Sequence, residues 1–516
     1  MNRWVVCAAW LALTGCPGGG GGGGGPSGEV TLTGVVTYDF VPAVYVPGEG
    51  GGLDFARAQA RPVRGGVVRV IEDDALLGST VTDEDGHYTL TVNASGGDVQ
   101  VQALTQTQSP PIRVEDNTDG DLLWGVVKRV GTDTTTVDLH APHGWTGARY
   151  EASQRAAAPF AVLDSMYTAA QAFIAVRNTT FPELKVNWSP NNAPQAGDKS
   201  RGQISTSHFS PQEGEIYILG LEGADTDEFD ANVIVHEWGH YFEAKLSRSD
   251  SPGGPHGQGY VLDPRIAFGE AWGTAVAAMK VACTMYVDTV WSNGQLLATG
   301  SDAETPPGND DPTPGVFSEY SLIRALYDLY DNTADGPHDQ AAVGLGAVYD
   351  VMVGHQRTTP TVTTIGSFLT GLKLRDETNA AYLAGIDATV AYYNIGSIVN
   401  DLGQGDDPLF HIYTVAPSLP FNTTLYLGGG HASNTWEQNQ YYVFEGTGGT
   451  VTFSASSVDD VAFTIYENGT RVAIVDENES GLESYGGTTV ADTLYVVIVT
   501  GFGQRQGDYP ITITIQ

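Results

Sequence analysis

The sequence predicts a multidomain protein in which two β-sandwiches flank a mainly-α α+β domain. Three observations predict it. Apolar and polar residues alternate with period two over 29–107 and again over 405–516, the spacing of half-buried strands. From about 148 to 404 the spacing turns helical, interrupted by one short strand. A chain of 516 residues with 65 glycines and 26 prolines suits several loop-rich domains better than one helical bundle.

Residues 1–28 stand apart from these domains. Met1-Asn2-Arg3 is weakly positive, and Trp4–Leu13 is apolar but far too short for a permanent bilayer-spanning helix. Leu13-Thr14-Gly15-Cys16 follows, then Pro17 and a glycine run over 18–25, a flexible tether with no side chains to bury. The stretch resembles the lipobox of bacterial lipoproteins. That resemblance implies cleavage before Cys16, acylation of Cys16 and a membrane anchor; the alternative is an ordinary cleaved signal peptide. Pro17 stands where an Asp would mark inner-membrane retention, so the same resemblance implies display at the outer membrane or cell surface. By that resemblance Cys7 would leave with the signal and Cys16 would take the lipid. Cys283 is then alone, and its apolar setting, "AVAAMKVACTMYV", predicts a buried, inert thiol. No later segment approaches about 18 uninterrupted apolar residues, so no transmembrane helix is expected.

In the first sandwich, "EVTLTGVVTYDF", "GGVVRVIED", "LLGSTVTDEDGHYTLTV" and "DVQVQAL" read as strands separated by Gly, Asp and Asn turns. The pattern resembles the carboxypeptidase-regulatory or transthyretin-like β-sandwich. Asp83, Glu84 and Asp85 read as an exposed turn, since a calcium loop needs more ligands at set spacing. Residues 108–147 form a connecting, β-rich segment. Helical patterns then occupy "AAAPFAVLDSMYTAAQAFIAVR", 227–247, 264–283, 318–331, 338–354 and 377–393, with "GEIYILG" a strand. In the last region, "NQYYVFEGTGGTVTFSA", "DDVAFTIYENGTRVA" and "GDYPITI" resemble the bacterial pre-peptidase C-terminal domain, a β-sandwich that accompanies secreted peptidases.

The charge excludes one class of partner. There are 24 Lys+Arg against 61 Asp+Glu, a net charge of −37. Such a surface repels phosphate backbones, so no nucleic acid is expected, and the acidity suits solubility outside the cytoplasm.

The chemistry centres on "ANVIVHEWGHYFEAKLS", Ala231 to Ser247. A helix places His236 and His240 on one face, one turn apart, where both imidazoles can bind one Zn²⁺. Glu237 sits about 100° further round, placed to act as general base on water that the metal acidifies. Thr226, Asp227, Glu228 and Asp230 read as the acidic first turn of this helix, and Val233, Ile234 and Trp238 as its anchors. A hydrolytic zinc site needs a third protein ligand. "DPRIAFGEAWGTAVAAMKVA" follows, with Asp263-Pro264 as N-cap and N1 of a helix whose small residues permit close approach. Glu270 is its lone acid in an apolar stretch, and a metal would remove the cost of burying it.

These residues resemble the gluzincin metallopeptidases, a zincin-like fold in which HExxH is followed by a Glu on a second helix. The resemblance implies His236, His240 and Glu270 as zinc ligands, Glu237 as catalytic base, and "STSHF" with "GEIYILG" as the small sheet whose edge aligns substrate. A metzincin reading fails, because position 246 is Leu rather than His. The thermolysin-like pattern carries an Asp where this chain has Thr274, so no subfamily is assigned. Such enzymes also place a donor over the developing oxyanion. Tyr320, near the start of a downstream helix, is the first candidate, and His256, in "SPGGPHGQGY", the second. The expected function is hydrolysis of protein or peptide substrates. The alternatives are a noncatalytic surface lipoprotein with a retained zinc site, whose sandwiches bind cell-surface or extracellular ligands, and a zinc hydrolase of non-protein amides.

Overall fold

The computed structural model describes residues 25–515, apart from 152–153, 282, 293–294, 307–310, 334–335, 376–378, 403–411, 417–420, 428–433, 479–480 and 503–508. Cys7 and Cys16 lie outside the described residues. The protein is multidomain, mixed α+β and rich in β-sandwich. The chain divides into two compact units: residues up to Tyr241 with Val276–Asp302, and Phe242–Ala275 with Ala303 onward.

The first unit is built on two sheets. Strand Ser27–Phe40 pairs antiparallel with His87–Ser95 and Gln59–Pro62, and parallel with Leu139–Ala141. The second sheet runs in the order His208–Ser210, Glu215–Ile218, Leu184–Trp188, Ile112–Asp116, Val99–Thr107, Gly66–Glu72, Ala75–Val81. Period-two alternation along Ser27–Phe40 turns Leu32, Val36 and Tyr38 inward, where they meet Val68, Val70, Val101 and Ala103 of the second sheet. Helix α1 (Ala157–Arg177) adds Phe160 and Ala161 to the same core. By length and composition α1 could cross a membrane, but most of its apolar stretch is buried. It is pinned by Asp164, which accepts from the Tyr38 hydroxyl at 2.7 Å and from Arg64 Nε at 2.9 Å. Ile112–Asp116, from the connecting segment, pairs parallel with Leu184–Trp188 and so continues the sheet towards the "GEIYILG" strand.

Helices α2 (Ala231–Leu246) and α3 (Pro264–Val281) carry the motif residues. The second unit continues with α4 (Glu319–Tyr330), α5 (Gly344–Val351), α6 (Ile365–Lys373) and α7 (Ala380–Tyr392). α3 begins as its Asp-Pro start dictates: Asp263 Oδ1 accepts from the backbone N–H of Arg265 at 2.9 Å. The same carboxylate accepts from the Arg265 guanidinium and, at 2.6 Å, from the hydroxyl of Tyr441. The chain closes in two sheets, one ordered Tyr413–Val415, Asn439–Glu445, Leu494–Gly501, Val461–Glu467, Thr470–Val475, the other Phe421–Leu427, Tyr509–Ile515, Thr450–Ser457, Gly481–Thr488. Phe444, Phe463, Ile465 and Val497 of the first and Val451, Phe453 and Ala455 of the second share one core.

Several expectations are corrected. α2 starts at Ala231, and Asp227–Phe229 form a separate 3-10 turn in which both acids are buried. Their side chains face partners inside the protein, Ser207 for Asp227 and Arg155 for Glu228, so no acid remains for an exposed first helical turn. Cys283 is exposed, because it falls beyond the end of α3 and before strand Met285–Ser292, off the helix's apolar face. That strand and its partner Gln295–Asp302 form a hairpin the helical reading passes over. α6 was likewise not anticipated: it has nine residues, two of them Gly, and rests on a Thr364–Ser367 capping box.

Candidate metal centre

α2 is fixed by its apolar side. Ile234 and Trp238 are fully buried, and the Trp238 ring lies 5.6 Å from that of Phe173 and 5.5 Å from that of Phe181. This anchoring sets the opposite helix face, on which His236 and His240 meet. Their Nε2 atoms lie 3.0 Å apart. Two nitrogens about 2.0–2.1 Å from one tetrahedral ion would stand roughly 3.3 Å apart, so the pair is close to the spacing that a shared zinc requires.

Glu237 is 8% exposed, and its Oε2 accepts from the backbone N–H of Phe209 at 2.8 Å. Phe209 belongs to strand His208–Ser210, which pairs antiparallel with Glu215–Ile218 and forms the edge of its sheet. One backbone amide of this edge therefore holds the carboxylate in place, while its other oxygen is not engaged by that amide.

α3 presents Glu270, 9% exposed, among the buried Ala267, Ala271 and Trp272. His236 and His240 belong to the first compact unit and Glu270 to the second. Two nitrogens and a carboxylate oxygen make the donor set of hydrolytic zinc sites. His256 is placed against two acids: its Nε2 is 3.3 Å from Glu270 Oε2 and its Nδ1 2.8 Å from Glu319 Oε2. It is therefore in contact with Glu270. Glu319 opens α4, whose N-cap Ser318 accepts from the Ser321 N–H. Tyr320 follows as a half-buried residue in the first turn of α4. Thr274 is half-buried, one turn beyond Glu270 on α3.

Two residues near these groups were not anticipated. Glu319 gave a sequence signal, an acid directly after a Ser N-cap, but nothing in the sequence links it to His256, 63 positions earlier. Tyr286, on strand Met285–Ser292, stands 6.3 Å ring to ring from His236. Burial, then the charges of Asp288 and Glu237, hold its hydroxyl well above the usual phenol range, so it stays a proton donor at neutral pH.

No family profile matches the sequence, and no curated protein matches it. Two solved structures show weak likenesses. One is the pre-peptidase C-terminal domain of a collagenase from Bacillus anthracis, at 13% identity and a TM-score of 0.16, covering 20% of this chain and 92% of that one. The other is a cycloisomaltooligosaccharide glucanotransferase from Paenibacillus sp., complexed with cycloisomaltoheptaose, at 8% identity and a TM-score of 0.12, covering 94% of this chain and 72% of that one. Both TM-scores are too low to assign a shared fold.

Proposed function

We propose that the protein is a zinc-dependent, gluzincin-like metallopeptidase. The observation that carries the reading is the pair of Nε2 atoms on α2, 3.0 Å apart, with the buried Glu237 between them in sequence and oriented by a sheet edge. In this reading His236, His240 and Glu270 hold the metal. When bound, zinc supplies a Lewis acid that polarises a carbonyl and lowers the pKa of water. Glu237 takes the proton from the attacking water and returns one to the leaving amine. The edge strand His208–Ser210 aligns an extended peptide beside Glu237. His256 steadies Glu270, and Tyr320 donates to the oxyanion.

Metal content tests the reading directly. The purified full chain is expected to carry about one zinc per chain by mass spectrometry, as a three-ligand site implies, and to cut a peptide library. His240→Ala or Glu270→Ala is expected to empty the site. A wild type free of zinc after purification in zinc-supplemented buffer would overturn the assignment; one that binds zinc but cuts nothing would point to a binding protein.

We propose further that Cys16 carries a lipid anchor to the outer membrane or cell surface, on the strength of Leu13-Thr14-Gly15-Cys16 and the glycine tether. Cys16→Ser is expected to move the protein from the membrane fraction to the soluble one, since acylation needs the sulfur. A variant that stays with the membrane would refute the anchor.

A further inference from the structure

We propose that Asp225, Asp227 and Asp288, backed by Asp230, bind a hard divalent cation of calcium size that ties the hairpin 285–302 to the start of α2. One carboxylate oxygen from each of Asp225, Asp227 and Asp288 lies within 4.8 Å of the others. Oxygens that share one calcium at about 2.4 Å cannot be further apart than roughly that span. Asp225 opens the short strand Asp225–Thr226 and pairs with Val290, which places it beside the strand that carries Asp288.

Acidic side chains gather on many surfaces without a ligand, but two of these are not on the surface. Asp227 is 3% exposed and Asp230 fully buried. Asp227 Oδ2 accepts from the Ser207 hydroxyl, and Asp230 Oδ2 accepts from the N–H and hydroxyl of Thr289 at 2.7 and 2.8 Å. The second oxygen of each, Oδ1, is buried with no hydrogen-bond partner, as is the hydroxyl oxygen of Thr226, which directly precedes Asp227. Asp230 is not one of the three grouped acids, so its orphaned oxygen is a separate sign. Its Oδ2 is held by Thr289, the neighbour of Asp288, and the Asp288 charge is the strongest acting on it.

Among the described residues no lysine, arginine or histidine pairs with any of the four, and the adjacent Glu228 takes Arg155. Several buried carboxylates without a cation repel one another. Burial and Asp288 push Asp225 up to about 6, and burial with the neighbouring carboxylates holds Asp227 and Asp230 well above the usual range. A cation removes both costs. The donors are all oxygen, which selects a hard ion over zinc or copper. Asp225 and Asp288 are half-buried, which leaves an open side for entry and for water ligands.

The test uses the full chain, treated with EGTA and dialysed, with calcium chloride as the probe. Calcium at roughly 100 times Kd is expected to raise Tm by about 5 °C. Asp227→Asn and Asp288→Asn keep shape and the neighbouring hydrogen bonds but lose a negative ligand. Each is expected to abolish the shift, while melting without calcium at or above the wild-type temperature, because a repulsion is gone. His240→Ala, which breaks the proposed zinc pair, is expected to keep the shift. Isothermal titration of wild type should give one calcium per chain. No shift in wild type at millimolar calcium, or an undiminished shift in both Asn variants, overturns the site. So does loss of the shift in His240→Ala alone.

Discussion

Glu237→Gln is expected to lower peptide hydrolysis by at least ~100-fold, the lower end for loss of a general base, with zinc content unchanged. Glutamine keeps the length of the side chain, and its amide oxygen can still accept from the Phe209 N–H, the bond that orients Glu237 at 2.8 Å. What it cannot do is take a proton. The variant therefore separates chemistry from architecture. The checks are kcat/KM on a peptide substrate and metal per chain on the same preparation. Unchanged activity removes Glu237 from the mechanism. Loss of zinc together with activity would mean that the carboxylate supports the helix rather than the reaction.

The largest effect on stability is expected at Arg155. Its guanidinium is 5% exposed and binds Glu228, which is fully buried, through Nε at 3.1 Å and through a second nitrogen. It also donates to the Gly220 carbonyl at 2.7 Å and lies 4.1 Å over the Tyr150 ring. Arg155→Ala strands the Glu228 charge, one oxygen of which already has no partner. Removing one member of a buried ion pair costs about 3–5 kcal/mol. Chemical denaturation should read that loss, and Arg155→Ala with Glu228→Gln should recover part of it. A single variant as stable as wild type would show that water reaches Glu228.

Much of this was legible because it is local. Period-two alternation located the strands of both sandwiches, and Asp263-Pro264 announced the start of α3. HExxH put His236 and His240 on one helix face without any tertiary knowledge. The acids before α2 show where local reading stops. Asp227, Glu228 and Asp230 fit the rule for a helix's first turn, yet the chain makes a 3-10 turn there and folds them inward. Their partners Ser207, Arg155 and Thr289 come from other segments, and no window of sequence contains both halves. The hairpin 285–302 was missed for the opposite reason: its signal, Asn293-Gly294 between two alternating runs, was present in the sequence but masked by the apolar helix that precedes it. His256 in turn occupies a glycine-rich loop whose pattern predicts no partner, and only folding sets it against Glu270 and Glu319.

The cap of α3 bears on how the protein could be processed. Asp263 holds the first turn of the helix that carries Glu270, and the Tyr441 hydroxyl that holds Asp263 comes from the C-terminal sandwich. Here a cut before residue 434 would also remove the Asn434 carbonyl that accepts from the Asp263 N–H at 2.9 Å. The helix would keep Glu270 and lose two of the bonds that seat its first turn. Maturation by trimming this end would therefore act as a switch on the helix carrying Glu270, and the intact tail is better regarded as part of that helix's foundation than as an appendage.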